Sequence, residues 1–441
     1  MRVTTTTILL TALTMTALTK SASGLSAEQT ARIEALFSDF DHPNAPGASV
    51  MVIRDGKPVF AKGFGLADLE TKTPCTTNTN FRLASVTKQF TAMAVLILAE
   101  RKALSLDEPL TAFFPEFPDY GKQITVRHLL THTSGLMDYE DEIPEGTTVP
   151  VLDQDVLRIL IGAQPSGRFI DQTSNASEIS KGADKGVMKR AEARAPLSLY
   201  FPPGSQFRYS NSAYALLALI VEARSGQTFA RFLKENIFEP LKMTNTLAYE
   251  QGLAVVPNRA YGHTPKSESL APSDGERARV RGTNFTRTDQ NLTSSVLGDG
   301  GVYSSVADLS KWDQALYKSK LVSERTLRLA FTPAPATERA GLRRSGSESE
   351  RTPEKIPTPN AVASAAAGTA ALQCGYGFGW YISEYRGLKE IWHSGTSIGF
   401  RNRIVRFPEK HFTVIILANR ADAKLDELPH QIADLVLFNA K

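Results

Sequence analysis

The chain of 441 residues contains little cysteine and little net charge. Its two cysteines, Cys75 and Cys374, stand far apart, so the sequence alone cannot show whether they pair, and a disulfide stays open. Neither has a histidine placed to suggest thiol catalysis. The formal net charge of +4 gives no electrostatic argument for a nucleic-acid partner, and we expect none.

Familiar cofactor motifs are also missing from the sequence. It contains no G-x-x-x-x-G-K-[ST] phosphate loop and no dinucleotide-binding fingerprint. His128 and His132 stand four positions apart, a spacing that can bind zinc from a helix face, but no acidic general base lies between them. A hydrogen-bonded structural role is favoured for both histidines, and we expect no metal site.

The N-terminus has the pattern of an export signal. Arg2 precedes an apolar, threonine-rich stretch at 8–18, and small residues follow at 21–23. The stretch is too short and polar to span a bilayer stably, and no cysteine lies near it to carry a lipid. We interpret residues 1–23 as a signal peptide, which predicts a periplasmic or secreted protein without a stable membrane anchor.

The composition is that of an ordinary globular protein, with 42% hydrophobic and 22% charged residues. Strand patterns occur near both chain ends, at 48–54, 58–67, 375–384, 389–393, 399–407 and 412–417. Helical patterns occur at 26–40 and 426–438 and dominate about 100–330. We predict an α/β (α+β) fold in which both chain ends build one antiparallel sheet, flanked by helices and interrupted by an inserted helical region.

We assign residues 24–441 to one domain. Within it, the polar segments at about 164–196 and 333–371 lack a steady period and are interpreted as insertions. Surface loops are favoured there, and a functional lid stays open as the alternative.

The first candidate for chemistry is Ser85-Val86-Thr87-Lys88, where we predict that a long buried helix begins at Ser85 and continues through the apolar pattern at 90–99. A serine hydroxyl needs a nearby group to take its proton. A lysine three positions later lies on the same helix face, and burial favours its neutral form. The alternative is an N-cap serine followed by a lysine that extends its amine to solvent. Because this motif alone is weak, the argument depends on the motifs that follow.

A second candidate group is Tyr209-Ser210-Asn211, which precedes another apolar helical pattern at 213–220. A tyrosine can act as a general base where a nearby cation lowers its pKa, and Lys88 would be that cation. The Asn211 amide could donate to a substrate carbonyl and accept from Lys88. The alternative is a tight turn with a packed tyrosine.

A third candidate group, His393-Ser394-Gly395, ends a predicted strand. A glycine at a strand edge lets a ligand backbone approach closely. The amide of Thr396 would then pair with that of Ser85 as oxyanion donors. The alternative is a strand-end histidine beside a turn.

The sequence G-T-S-I-G at 395–399 also matches the G-x-S-x-G nucleophile elbow. In that elbow the serine lies between a strand and a helix. Here a strand-like pattern follows at 400–407, and little chain remains for an acid and a histidine. We therefore disfavour Ser397 as a nucleophile.

Five motifs in their order resemble the serine β-lactamase and penicillin-binding-protein superfamily, in particular its class C β-lactamase-like branch. They are F-R-L-A-S-V-T-K at 81–88, L-L-T-H-T-S-G-L at 129–136, Y-S-N at 209–211, G-G-V-Y-S at 300–304 and H-S-G at 393–395. The similarity runs from about Pro46 to Leu417 and is broken by the two insertions. Each motif is common alone, but their order makes the resemblance specific.

The resemblance implies an acyl-enzyme mechanism that needs no metal or organic cofactor. Ser85 would attack the amide or ester carbonyl of a small molecule or peptide, with Lys88 and Tyr209 sharing the proton transfer. The amides of Ser85 and Thr396 would hold the oxyanion, and water would release the acyl group.

The resemblance also assigns substrate orientation to Asn211 and His393. Many β-lactamases of the superfamily carry Lys-Thr-Gly where this chain has His393-Ser394-Gly395. A lysine is a cation for a substrate carboxylate, whereas a histidine is largely neutral at pH 7. This departure weakens the case for β-lactams and leaves D-amino-acid peptidases, carboxypeptidases and esterases open. A catalytically inactive binding or regulatory protein is the alternative from another class.

Overall fold

A computed structural model describes residues 24–143, 147–163, 198–250, 252–266, 284–334 and 375–438. Its α-helices are α1 Ala27–Ala35, α2 Lys88–Glu100, α3 Val126–Leu130, α4 Asp153–Leu160, α5 Asn211–Ser225, α6 Phe229–Leu233, α7 Leu297–Gly300, α8 Val306–Ala315, α9 Glu324–Ala330 and α10 Leu428–Leu437. Its strands are β1 Ala48–Arg54, β2 Lys57–Phe64, β3 Leu66–Asp68, β4 Thr73–Pro74, β5 Phe81–Arg82, β6 Leu247–Ala248, β7 His263–Pro265, β8 Phe285–Arg287, β9 Val302–Ser304, β10 Gly375–Tyr376, β11 Tyr381–Tyr385, β12 Leu388–Ser397, β13 Phe400–Phe407 and β14 Phe412–Ala418.

The main sheet has seven antiparallel strands in the order β10-β11-β12-β13-β14-β1-β2. β1 pairs with β14 along its whole length, from Ala48 opposite Ala418 to Arg54 opposite Phe412. The two ends of the chain therefore meet side by side within one sheet, which confirms the predicted fold class.

The sheet separates two hydrophobic clusters. Successive strand residues point to opposite faces, so Val50 and Val52 of β1 pack with α1 and α10, whereas Met51 and Ile53 pack in the cluster that contains α2 and α5. α2 is so apolar that nearly all of its side chains are buried. The residues at its N-terminal end are consequently held in a rigid core.

The structure corrects the predicted start of this core helix. The sequence pattern placed the first helical residue at Ser85, whereas Ala84–Thr87 form a 3-10 turn and α2 begins at Lys88. Ala84 has the left-handed φ of 49°, which turns the chain immediately before Ser85. Because a 3-10 helix has about three residues per turn, the side chains of Ser85 and Lys88 lie one above the other.

Some predictions lie outside the described residues. These are the signal peptide at 1–23, the insertion at 164–196, all but the start of the insertion at 333–371, and Cys374. Cys75 is buried, and burial raises the pKa of its thiol far above the usual value. Within the described ranges, no helix combines the length and apolar character that crossing a membrane requires. The domain extent of 24–441 stays a prediction.

Candidate active site

The amine of Lys88 lies at the centre of the site. Its Nζ is 3.2 Å from Oγ of Ser85, 2.9 Å from Oδ1 of Asn211 and 2.9 Å from the backbone oxygen of Asp299. The two amide-type oxygens can only accept hydrogen bonds. A neutral amine that donates to both of them therefore turns its lone pair toward the Ser85 hydroxyl, and an ammonium in the same place donates to all three oxygens.

Asn211 is held at the N-terminus of α5. The N-cap residue Ser210 accepts a hydrogen bond from the backbone amide of Ala213 at 3.1 Å, which fixes the first turn of this helix. Nδ2 of Asn211 donates to Oε1 of Glu140 at 3.3 Å. Oε1 of Glu140 accepts from the amide nitrogen, so the side chain of Asn211 lies with Nδ2 toward Glu140 and Oδ1 toward Lys88.

Tyr209 lies beside the same amine. Its ring centroid is 4.9 Å from Nζ of Lys88 and 4.3 Å from the ring centroid of His132. Nδ1 of His132 accepts the backbone N–H of Ser210 at 3.1 Å, and burial, followed by the charge of Lys88, holds the His132 pKa well below its usual range. His132 is therefore a neutral ring that positions the tyrosine segment, in agreement with the predicted structural role.

His393 is buried on β12 and is neutral at pH 7. Its Nδ1 is 2.6 Å from the backbone oxygen of Ser394, and its Nε2 is 3.0 Å from the hydroxyl of Tyr376. Because the carbonyl only accepts, Nδ1 carries the proton and Nε2 accepts from the tyrosine. Burial lowers the pKa of His393 to about 3. The site therefore carries no positive charge at this position.

The edge of β12 beyond Trp392 faces the nucleophile segment. β11 pairs with β12 only as far as Trp392, while β12 continues to Ser397, so this edge has no strand neighbour in the described part of the sheet. A Cβ on Gly395 would lie 2.1 Å from the backbone oxygen of Leu83. Only glycine permits this approach, which brings β12 against the turn that carries Ser85. Thr396 follows on the same edge and is exposed.

The turn α7 presents the backbone oxygen of Asp299 to Lys88. Both carboxylate oxygens of Asp153 hold this turn, because they accept from the backbone amides of Leu297 at 2.8 Å and Gly298 at 3.0 Å. Thr91 of α2 donates to the backbone oxygen of Gly298 at 2.6 Å. Burial raises the pKa of Asp153 to about 7.

The structure brings five of the predicted side chains together, and the oxyanion role of the Ser85 and Thr396 amides stays a prediction. Ser85, Lys88 and Asn211 are in hydrogen-bonding contact, and the ring centroids of Tyr209 and His393 are 6.3 Å apart. Four contributing residues were not predicted as part of the site, namely His132, Glu140, Asp153 and Asp299.

Two rival interpretations of the sequence find no support in the geometry. Ser397 is followed by a two-residue turn and strand β13, so it lacks the helix that a nucleophile elbow needs. His128 accepts the backbone N–H of Thr125 at 3.2 Å, as a capping residue does. Among the described residues, no three His, Cys, Asp or Glu side chains are grouped as a metal would require.

Comparison with known sequences gives a family match over most of the chain. The sequence model of the Beta-lactamase family matches residues 33–437. Penicillin-binding protein 4* of Bacillus subtilis (strain 168) is 27% identical, over 92% of this chain and 75% of its own length. The D-aminopeptidase of Brucella anthropi is 26% identical, over 85% of this chain and 56% of its own. Serine beta-lactamase-like protein LACTB, mitochondrial, of Mus musculus is 30% identical over 68% of this chain. This chain spans 61% of the length of that mouse protein.

Solved structures show the same fold. The penicillin binding protein from Bacillus halodurans superposes with a TM-score of 0.64 at 22% identity, covering 91% of this chain and 98% of its own. The D-amino acid amidase from Ochrobactrum anthropi SV3, complexed with D-phenylalanine, gives a TM-score of 0.64 at 19% identity and covers 94% of this chain and 100% of its own. With the family match over residues 33–437, these findings show that the chain belongs to the Beta-lactamase family.

Proposed function

We propose that the protein is a serine hydrolase of the class C β-lactamase-like type, which forms an acyl-enzyme on Ser85 and cleaves an amide or ester bond. The observation that carries this proposal is the 3.2 Å separation between Nζ of Lys88 and Oγ of Ser85, together with two further hydrogen bonds from the amine to obligate acceptors. A buried amine oriented in this way is suited to take the proton of the serine hydroxyl.

In the proposed reaction Oγ of Ser85 forms a bond to the substrate carbonyl carbon. Its proton passes to the amine of Lys88 or to the phenolate of Tyr209, and from there to the leaving amine or alkoxide. The amides of Ser85 and Thr396 would stabilise the negative oxygen, and Asn211 would orient the substrate carbonyl. A water molecule then attacks the acyl-enzyme, releases the acid and returns the proton to Ser85.

For the substrate we propose an amide or ester of a small molecule or peptide. The names of two similar proteins, a D-aminopeptidase and a D-amino acid amidase, favour a D-amino-acid amide within this class. The neutral ring of His393 offers no cation to a β-lactam carboxylate, which supports the same choice. The export pattern at 1–23 supports a periplasmic or secreted location.

A labelling experiment tests the proposal. The protein is treated with a fluorescent fluorophosphonate and a fluorescent penicillin, and then assayed on a β-lactam, a D-Ala-D-Ala peptide, a D-amino-acid amide and a short-chain ester. We expect an adduct and turnover that Ser85→Ala abolishes and that the control variant Ser397→Ala retains. Absence of any adduct and of any turnover would favour a binding or regulatory protein.

A further inference from the structure

We propose that the buried carboxyl group of Asp299, held by the hydroxyl of Tyr139, sets the protonation state of Lys88 and thereby the pH range over which Ser85 is activated. The inference rests on the proposed function, because it concerns the base that takes the serine proton. Asp299 is a positioning residue in this scheme, and it acts on Ser85 only through Lys88.

Asp299 contacts the catalytic region with both its backbone and its side chain. The backbone oxygen accepts from Nζ of Lys88 at 2.9 Å, and Oδ2 of the side chain accepts from the hydroxyl of Tyr139 at 3.1 Å. Tyr139 is fully buried, and Asp299 is 7% exposed. A charge on this carboxyl is therefore poorly screened by water and acts strongly on its neighbours.

The segment that carries Tyr139 is itself tied to α5. The backbone amide of Tyr139 donates to Oγ of Ser212 at 2.8 Å, and that hydroxyl donates to the backbone oxygen of Met137 at 2.7 Å. The next residue, Glu140, holds Asn211. Tyr139 and Glu140, which are consecutive in the chain, therefore hold Asp299 and Asn211, respectively. Each of these two held residues supplies an oxygen that accepts a hydrogen bond from Lys88.

Within the described part of the chain, four titratable groups act on the carboxyl of Asp299. Burial disfavours its ionised form most strongly, and the nearby charges of Glu140 and of Asp153 on α4 act in the same direction. The charge of Lys88 on α2 and the hydrogen bond from Tyr139 favour ionisation. The balance raises the pKa of Asp299 to about 7. Coupling between two titrating groups is reciprocal, so an ionised Asp299 favours the ammonium form of Lys88 and a protonated one favours the amine.

The turn around Asp299 allows the charge of its carboxyl group to be removed while its backbone oxygen keeps the contact with Lys88. Asp153 and Thr91 hold α7 through its backbone at Leu297 and Gly298, independently of the Asp299 side chain. Asn in place of Asp299 keeps the size of the side chain and an oxygen for Tyr139. Asp299→Asn therefore separates the effect of charge from the effect of position.

The test measures the rate at which a fluorophosphonate labels Ser85 between pH 5 and 9 in the full chain, because this reagent requires no known substrate. We expect the acid limb of the profile to move to lower pH by about one unit in Asp299→Asn. Tyr139→Phe should move it in the same direction by less, because loss of the phenol donor favours the protonated carboxyl. Asp68→Asn is the matched control, because Asp68 also accepts local hydrogen bonds, from the Glu70 amide and the Thr71 hydroxyl. This control variant should keep the pH profile of the original protein.

A second readout does not depend on activity. Infrared pH titration should show protonated-carboxyl absorption that disappears near neutrality in the original protein. Asp299→Asn should lose one part of this absorption, while Asp153, whose pKa is also raised to about 7, keeps the other part. The proposal is overturned if Asp299→Asn lowers the labelling rate by the same factor at every pH, or if it leaves the midpoint of the pH profile unchanged. If Asp299→Asn does not fold, the pH profile of Tyr139→Phe is judged by the same two criteria. If the original protein is never labelled, the proposed function fails, and the infrared titration alone decides whether Asp299 titrates as stated.

Discussion

Oδ1 of Asn211 lies 2.9 Å from Nζ of Lys88, although 123 positions separate the two residues in the sequence. The contact joins the N-terminal ends of α2 and α5, two largely buried helices beside the site. It fixes the direction of the amine relative to Ser85, so the predicted hydrolase activity depends on it.

We expect Asn211→Ala to lower kcat/KM by about 10- to 100-fold, because Lys88 loses an acceptor and the lone pair is no longer held toward Ser85. The measurement is turnover of the best substrate in the panel, with the fluorophosphonate labelling rate as a second readout. Asn78→Ala, at an exposed turn, is the control and should retain activity. A folded Asn211→Ala protein with the original kcat/KM would refute the assigned role.

His393 should contribute a pH-dependent part of the stability. Its pKa is lowered to about 3 in the folded chain, while an unfolded histidine titrates near its ordinary value of 6.5. Between these values the unfolded chain binds one more proton, so stability falls as the pH falls. We expect the free energy of unfolding of the original protein, relative to His393→Gln, to decrease by about 2–3 kcal/mol between pH 7 and pH 4.5.

The comparison with His393→Gln is needed because other buried groups act in the opposite direction. Asp153 and Asp299 have raised pKa values, so over the acid range they retain protons that the unfolded chain has lost. Urea unfolding of both proteins at each pH gives the difference directly. A difference that stays constant with pH would contradict a neutral, buried His393.

Gly395→Ala should impair the site through geometry alone. The new Cβ would lie 2.1 Å from the backbone oxygen of Leu83, so β12 and the Ser85 turn must separate. We expect a loss of kcat/KM of about 100-fold or more, since small misplacements of reacting groups are costly. Gly300→Ala is the informative comparison, because its nearest neighbour, Cα of Ala84, is 3.5 Å away and leaves room for a methyl group. Equal losses in the two variants would show that the close approach at Gly395 is not decisive.

Much of the sheet could be predicted from local patterns. The mostly apolar runs at 48–54 and 412–417 correspond to β1 and β14, which pair with each other and are buried on both faces of the sheet. The boundary of α2 could not be predicted, because the 3-10 turn depends on the left-handed conformation of Ala84, a residue that rarely adopts it. The register of Gly395 against Leu83 likewise depends on tertiary packing.

The site was predictable where a residue acts through its own side chain in a recognisable motif, as Ser85 and Lys88 do. Asp299 holds Lys88 through a backbone oxygen, which any residue type could supply, so its identity carries no signal for that contact. Glu140 acts through the amide of Asn211, and His132 acts by ring contact with Tyr209. Contacts of this kind become visible only when distant segments are placed together.

The central claim is covalent catalysis by Ser85, and rapid-quench mass spectrometry during turnover tests it most directly. Protein mixed with the best substrate is quenched in acid within the first turnovers, digested and analysed for acylated peptides. The account predicts that the acyl group appears on the peptide containing Ser85 at a rate no slower than kcat and is absent in Ser85→Ala. Turnover without that adduct, or undiminished turnover by Ser85→Ala, would contradict it.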